Sequence, residues 1–267
     1  MYFFPMKTNQ PIGIFDSGVG GLSIWKEVSQ LLPNESTIYL ADSNHAPYGA
    51  LSREQIIELS VNNTDFLISK QCKLIVVACN TATTNAIAVL RKNYRLPFIG
   101  IEPATKPAVI NTKTGKIGIL ATKGTLVSEL FSNTSEKYRG NVTIIETIGE
   151  GLVPIIESGD LHVAKPLLEK YLLPMVKQGV DSIVLGCTHY PFLIPVIREF
   201  IPPGINIIDS GKAVAEQTKN ILINNGLNNE SGQVGTSVFY TNGDEQVLNS
   251  FLNGITEKPT SIQSISW

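Results

Sequence analysis

The segments Lys73-Leu-Ile-Val-Val-Ala-Cys-Asn-Thr81 and Asp181-Ser-Ile-Val-Leu-Gly-Cys-Thr-His189 share one layout, an apolar run that ends in a cysteine and then a small polar residue. A short apolar run rich in branched side chains is typical of a strand buried on both faces of a parallel sheet. Cys79 and Cys187 are therefore predicted at the carboxyl ends of strands, where ligands bind in open α/β sheets. The polar residues that follow are suited to begin a helix, whose dipole would favour the thiolate.

Strand-like and helix-like segments alternate on both sides of these runs. Further strands are predicted over residues 12–15, 37–41, 97–101, 116–121, 142–147, 205–208 and 238–240, and helices over 21–32, 53–70, 126–138 and 214–224. A short C-terminal helix and strand are expected to follow and to pack back on the first half of the chain. Alternation of this kind predicts parallel sheets covered by helices on both faces, so the fold class is α/β.

The spacing of the motifs indicates a duplication. Gly13 and Cys79 are 66 residues apart (79 − 13), Gly118 and Cys187 are 69 apart (187 − 118), and both glycines lie in an Ile-Gly-Ile strand. Two similar halves that face each other would place the thiols across one cleft, although such strands also recur by chance in α/β proteins. The predicted domains are 1–100 with 210–267, which carry the first thiol, and 101–209, which carry the second.

Composition excludes several classes of function. The chain has 267 residues, a net charge of −2 and 16% charged residues, and its densest basic cluster (Arg91, Lys92 and Arg95) falls where the helix after Cys79 should end. Basic residues there complement a helix dipole, so no nucleic-acid partner is expected. No run approaches the ~20 apolar residues of a membrane span, and Met1–Lys7 does not resemble a signal peptide. Three cysteines suit a reducing compartment, so we expect a cytoplasmic protein with free thiols and no membrane partner.

Two loops after predicted strands are candidate binding elements. Residues 15–21, Phe-Asp-Ser-Gly-Val-Gly-Gly, form a glycine-rich turn whose amides could bind a small carboxylate. The spacing does not fit a dinucleotide fingerprint or a P-loop, and a purely conformational role for the glycines stays open. Asp16 beside them favours a site. The loop 42–49 is polar, and its His45 is either a base or a solvated side chain.

The thiols themselves point to proton transfer. Cys187 and His189 lack the spacing of a zinc site, and no second ligand pair appears, so no metal is expected. A Cys/His hydrolase with His189 as base is an alternative, but it leaves Cys79 without a role. Two thiols that face one substrate suit racemisation, in which one base removes a proton and a conjugate acid returns one to the opposite face. No pyridoxal phosphate context is recognisable, so the mechanism is predicted to need no cofactor, with Asp16, His189 and a glutamate tuning the thiols.

Five motifs together resemble the bacterial glutamate racemases, within the cofactor-independent aspartate/glutamate racemase family. They are residues 15–22 (FDSGVGGL), 46–49 (APYG), 78–83 (ACNTAT), 152–157 (LVPIIE) and 186–191 (GCTHYP), and the likeness runs from about Pro11 to the end. The resemblance implies two pseudo-symmetric α/β domains with the active site between them. It also implies interconversion of L- and D-glutamate for peptidoglycan synthesis, and a homodimer.

The resemblance also implies roles for individual residues. Cys79 would act on D-glutamate with help from Asp16, and Cys187 on L-glutamate with help from His189 and Glu157. The implied substrate contacts are Asp16, Ser17, Tyr48, Gly49, Asn80, Thr81, Thr188 and His189, with Thr122 and Thr125 as further candidates and Glu146 and Glu150 as rivals of Glu157. An aspartate racemase, a Cys/His amidohydrolase and a non-catalytic amino-acid-binding module remain the alternatives.

Overall fold

The computed structural model describes residues 7–138, 140, 142–253, 255–256 and 260–266. Residues 1–6, which contributed to the expectation of no signal peptide, lie outside this range, as does residue 267 at the end of the predicted first domain. Across the described ranges, no helix combines the length and apolar character that crossing a membrane requires.

Ten strands lie within the described residues. They are β1 (Ile12–Asp16), β2 (Thr37–Ala41), β3 (Leu74–Val77), β4 (Phe98–Gly100), β5 (Lys116–Ala121), β6 (Thr143–Ile148), β7 (Ser182–Gly186), β8 (Asn206–Ile208), β9 (Ser237–Thr241) and β10 (Thr260–Ser264). They form a six-stranded sheet in the order β10-β9-β2-β1-β3-β4 and a four-stranded sheet in the order β6-β5-β7-β8. All neighbouring pairs are parallel, which confirms the predicted α/β class.

Helices connect most of the strands. They are α1 (Leu22–Leu31), α2 (Arg53–Ser69), α3 (Asn80–Asn93), α4 (Thr105–Asn111), α5 (Lys123–Leu126), α6 (Glu129–Glu136), α7 (Leu152–Glu157), α8 (Lys165–Lys177), α9 (Ile194–Arg198), α10 (Gly211–Asn224) and α11 (Glu245–Asn253). The single helix predicted over 126–138 is wrong, because the chain divides there into α5 and α6. The hydroxyl of Thr122 accepts from the Thr125 N–H and that of Ser128 accepts from the Phe131 N–H, so each caps a separate helix.

The two sheets repeat one arrangement. In each, the first strand of the half lies between the second and the third, and the fourth lies beside the third. Gly13 and Gly118 occupy the equivalent strands β1 and β5, where an added Cβ would lie 2.9 Å from Cys72 Sγ and 2.6 Å from Met175 Sδ. The repeated Ile-Gly-Ile pattern therefore reflects close packing on both first strands, and the predicted pseudo-symmetry is confirmed. Cys79 and Cys187 follow the equivalent strands β3 and β7.

The last part of the chain returns to the first half, as predicted, and its strands complete the six-stranded sheet. Strand β9 pairs with β2 in the register Ile38–Val238, and β10 pairs with β9. Helix α10 packs on α1. We call the six-stranded sheet with its helices the first half and the four-stranded sheet with its helices the second half. We propose that these halves are the two domains, with the boundaries predicted from the sequence, at residues 100–101 and 209–210.

A buried ion pair ties the C-terminal segment to the first sheet. Lys73, immediately before β3, is fully buried, and its Nζ lies 2.5 Å from Glu35 Oε2. The same ammonium group donates to the Leu227 carbonyl at 2.8 Å, and the other carboxylate oxygen of Glu35 accepts from the Asn229 N–H. Because each charge has several partners, this pair fixes the return of the chain after α10.

Candidate active site

Both thiols line one cavity between the two halves, as predicted. Its walls are Ser17, Pro47, Tyr48, Gly49, Cys79, Asn80, Thr81, Thr122, Val153, Cys187, Thr188 and His189. The cavity volume is about 10 Å³, which is about the space of one water molecule. Cys79 is 4% exposed and Cys187 is 6% exposed. The structure is therefore a closed arrangement in which the two thiols are almost completely buried and border the same narrow cavity.

Cys79 is the N-cap residue of α3. Its Sγ accepts from the Ala82 N–H at 3.4 Å, and its thiol donates to Ser17 Oγ at 3.8 Å. Burial raises the pKa of Cys79 well above its ordinary value, and the negative charge of Asp16 raises that pKa further. The Ala82 N–H at the helix terminus does favour the thiolate, as expected, but the loss of hydration on burial outweighs this one backbone donor.

Cys187 belongs to a linear arrangement of three groups. Its Sγ lies 3.7 Å from His189 Nδ1, and His189 Nε2 lies 2.5 Å from Glu157 Oε1. The helix expected directly after Thr188 is replaced by a 3-10 turn at Tyr190–Leu193, followed by α9. The turn begins at Tyr190 and its N-cap residue is His189, so Cys187 is not a helix N-cap.

The charges around His189 decide its protonation. Burial lowers the pKa of His189, but the hydrogen bonds to Cys187 and Glu157 and the charge of Asp16 more than compensate, so the pKa lies well above its ordinary value. Burial raises the pKa of Asp16 to about 6, although His189 and the Gly21 N–H oppose that rise. A protonated imidazole between acidic groups is suited to hold a proton beside Cys187 and to return it.

The glycine-rich loop after β1 binds carboxylates of the protein itself. The Gly21 and Gly18 N–H groups donate to Asp16 Oδ2 at 2.9 and 3.2 Å, and the Val19 N–H donates to Glu157 Oε1 at 2.8 Å. Three of the amides that were predicted to hold a small-molecule carboxylate therefore have acceptors within the protein in this closed arrangement. Asp16 Oδ1 accepts from Thr188 Oγ1 at 3.2 Å, and Oδ2 lies 4.0 Å from His189 Nδ1. Asp16 thus belongs to the first half but contacts the Cys187 segment.

Two glycines of this loop allow the halves to approach. An added Cβ at Gly18 would lie 2.6 Å from Glu157 Cδ, and one at Gly20 would lie 2.5 Å from both Cγ and Cε1 of His189. Neither glycine has a positive φ. Their importance is therefore the space that they leave for Glu157 and His189, and the sequence contains no sign of that contact because the partners are more than a hundred residues away.

The other predicted binding residues line the cavity with different capacities. Asn80 is buried, and its Nδ2 has no hydrogen-bond partner among the described residues, so this donor is available to a ligand. Thr81 Oγ1 lies 2.8 Å from Thr122 Oγ1 and 3.3 Å from Thr125 Oγ1, so hydroxyl groups meet across the cleft. The Tyr48 hydroxyl donates to Asp42 and accepts from Asn63, so Tyr48 contributes its ring to the cavity wall.

Several residues differ from their sequence-based assessment. His45 lies outside the cavity, half exposed, with Nδ1 2.6 Å from Asp42 Oδ1, which agrees with the solvated alternative. Glu146 and Glu150 do not line the cavity, and Glu157 is the glutamate that reaches His189. Pro47 and Val153 line the cavity but were not predicted, because both lie in quoted motifs as apolar residues without a chemical signature.

Comparisons with known proteins agree with this geometry. A family model described as Asp/Glu/hydantoin racemase matches residues 18–218. A glutamate racemase from Herpetosiphon aurantiacus is 44% identical over 238 residues, which cover 88% of this chain and 94% of the relative. The crystal structure of a Bacillus anthracis glutamate racemase isoform has a TM-score of 0.86 at 29% identity and covers 97% of this chain and 98% of its own. The Escherichia coli glutamate racemase, solved with L-glutamate and the activator UDP-MurNAc-Ala, has a TM-score of 0.84 at 29% identity, with 97% and 100% covered.

Proposed function

This chain belongs to the Asp/Glu/hydantoin racemase family, and we propose that it interconverts L- and D-glutamate by proton transfer between two thiols, without a cofactor. The observation that supports the mechanism best is the pair of buried thiols at equivalent strand ends in one cavity. The matched relatives support glutamate as the substrate, since they are glutamate racemases and this chain matches them over most of their length.

The proposed reaction begins with one thiol ionised and the other protonated. With D-glutamate, the Cys79 thiolate removes the α-proton, and the Cys187 thiol then donates a proton to the opposite face of the carbanion, which gives L-glutamate. With L-glutamate the two roles are exchanged. After each turnover the first thiol holds the proton taken from the substrate, and the second has given its own proton to the product, so both must be reset. Two groups move these protons: His189, which lies beside Cys187, and Asp16, whose charge acts on Cys79.

Binding would use the remaining polar groups of the cavity. The unpartnered Asn80 amide and the hydroxyl groups of Ser17, Thr81 and Thr188 donate to the two carboxylates of glutamate. Asp16, when ionised, accepts a hydrogen bond from the ammonium group of the substrate. Tyr48 and Gly49 shape the wall. Because a volume of about 10 Å³ is too small for glutamate, substrate enters when the two halves separate and the cavity expands.

The alternatives make different predictions. An amidohydrolase built on Cys187 and His189 would not need Cys79, whereas the structure supports a shared role because both thiols face the same cavity. An aspartate racemase would use the same thiols but prefer the shorter substrate. A binding module would bind an amino acid tightly without turnover. From the family resemblance we further propose a cytoplasmic homodimer that supplies D-glutamate for peptidoglycan, which analytical ultracentrifugation and complementation of a D-glutamate auxotroph would test.

The test is circular dichroism of L- and D-glutamate with purified protein in D₂O without pyridoxal phosphate, with α-deuterium incorporation followed by NMR. We expect the optical signal to decay from both enantiomers while deuterium enters the α-position. Cys79→Ala and Cys187→Ala should each abolish racemisation in both directions. Appreciable racemisation by either variant contradicts the two-thiol mechanism. Inactivity of the wild-type protein on glutamate, followed by activity on aspartate, would transfer the proposal to the shorter substrate.

A further inference from the structure

We propose that closure of the cleft assembles the acid–base pair beside Cys187, and that Ser43, in the loop after β2, is a positioning residue for that pair. The inference rests on the proposed racemase activity and adds a difference between the two thiols. The partners of Cys79, which are Ser17 and the Ala82 N–H, belong to the same half as Cys79 itself. The surroundings of Cys187 are completed by groups from the opposite half.

Glu157 shows this dependence most clearly. It ends helix α7 in the second half, yet both of its carboxylate oxygens accept from the first half: Oε1 from the Val19 N–H at 2.8 Å and Oε2 from Ser43 Oγ at 3.2 Å. Oε1 also faces His189 Nε2 at 2.5 Å. The side chain of Glu157 is 15% exposed and that of His189 is 1% exposed. The orientation of Glu157 toward His189 is therefore set by two donors that move away when the cleft opens.

A second contact acts on the segment that carries Cys187. Ser23, in α1, donates to the Thr188 carbonyl at 2.9 Å across the cleft. Gly20 packs against the His189 ring. When the halves separate, Glu157 exchanges both protein donors for water, and His189 loses the surface that fixes its ring. Because the closed cavity cannot admit or release glutamate, each turnover includes this disassembly and reassembly.

Ser43→Ala tests the inference, because the substitution deletes one hydroxyl group that contacts Glu157 but does not line the inner cavity. We expect kcat to fall about tenfold, the size expected for one hydrogen bond to a charged group. KM should stay within about twofold of the wild-type value, since no substrate contact is lost. The enantiomers have equal free energy, so kcat/KM must fall equally in both directions.

Isotope effects distinguish this role from a general structural one. With L-glutamate deuterated at the α-carbon, the isotope effect on kcat/KM should rise in Ser43→Ala. Cys187 breaks the bond between the α-carbon and deuterium in this direction, and proton transfer at Cys187 is the step that the substitution slows. With deuterated D-glutamate the isotope effect should fall. Cys79 breaks the bond to deuterium first, and the slower proton transfer from Cys187 that follows then limits the rate. A loss of overall fold or of substrate binding would not move the two isotope effects in opposite directions.

Ser158→Ala is the matched control. Ser158 borders the same outer cavity of about 330 Å³ as Ser43 and follows Glu157 directly, but its hydroxyl donates to the Ile155 carbonyl of its own helix. Its kcat and isotope effects should equal those of the wild type. If Ser43→Ala does not fold, Ser23→Ala is measured instead, with the same opposite changes expected.

Two results separate the proposals. Wild-type activity with unchanged isotope effects in a folded Ser43→Ala or Ser23→Ala overturns the inference and leaves the racemase function intact. A wild-type protein without activity on either enantiomer overturns the function on which the inference rests.

Discussion

Gly20→Ala should inactivate the site without unfolding the protein. The added Cβ would lie 2.5 Å from both Cγ and Cε1 of His189, whereas ordinary van der Waals contact begins at 3.4 Å. The ring atom Nδ1 would lie closer still, so the ring must move by more than about 0.9 Å (3.4 − 2.5), or the halves must stay apart by a similar distance. A displacement of about 1 Å in a catalytic group costs about 10²-fold in rate. We therefore expect kcat to fall about a hundredfold in both directions.

The backbone does not confound this prediction. Gly20 has no positive φ, so alanine adopts its conformation without strain, and the effect comes only from the Cβ. Gly204→Ala is the control, because this glycine also lacks a positive φ and an added Cβ there meets no atom within 4 Å. Racemisation of each enantiomer by circular dichroism, with thermal unfolding of both variants, measures the effect.

The folded state of Gly20→Ala decides how the result is interpreted. We expect the unfolding temperatures of the two variants to differ little, because the clash can be relieved by opening the cleft. A Gly20→Ala protein that is folded and keeps kcat within about twofold of the Gly204→Ala value would refute the closed arrangement of His189 against the first half.

Four further predictions concern individual side chains. Because burial raises the pKa of Asp16 to about 6, kcat/KM should fall as the pH drops through about 6, and Asp16→Asn should remove this limb of the pH profile. The same raised pKa means that the native state holds the Asp16 proton more tightly than the unfolded state does. This contribution to the free energy of unfolding is therefore complete below about pH 4 and is lost as the pH rises through about 6. Urea titrations of the wild type and Asp16→Asn over this pH range would reveal the loss. Thr81→Val removes the hydroxyl that lies 2.8 Å from Thr122, so KM should rise about tenfold with a smaller change in kcat, and unchanged saturation curves would contradict its binding role. Lys73→Met leaves Glu35 buried without its cation, so urea unfolding should show a loss of about 3–5 kcal/mol while KM stays constant, and full stability would contradict the account of this pair.

Local patterns in the sequence predicted the sheets and the site well, for a physical reason. A strand buried on both faces must be apolar along its length, so β3 and β7 were recognisable, and each cysteine was placed at a strand end by its position in the run. The Ile-Gly-Ile repeats marked equivalent strands because close packing there excludes a Cβ. The family motifs then carried the residue assignments, whose roles in catalysis stay predictions until the variants are measured.

Errors arose where distant segments compete for one group. The amides of residues 18–21 looked available to a ligand, but Asp16 and Glu157 accept from them. The helix terminus predicted an easily ionised Cys79, but burial between the halves raises its pKa. Asp16 lies only two residues from Gly18, but Glu157 lies 138 residues from Val19, and the burial that raises the pKa of Cys79 depends on the three-dimensional structure.

The α/β class, the duplication and the two thiols at strand ends could be predicted from the residues alone, because each strand is recognised from residues that are neighbours along the chain. The contacts across the cleft became visible only in the folded structure: the Val19 amide and Ser43 contact Glu157, Ser23 contacts Thr188, and Gly20 leaves space for His189. Hydrogen bonds and steric contacts act over a few ångströms. Two surfaces that are separated by more than a hundred residues can therefore establish such contacts only after both halves have folded and closed.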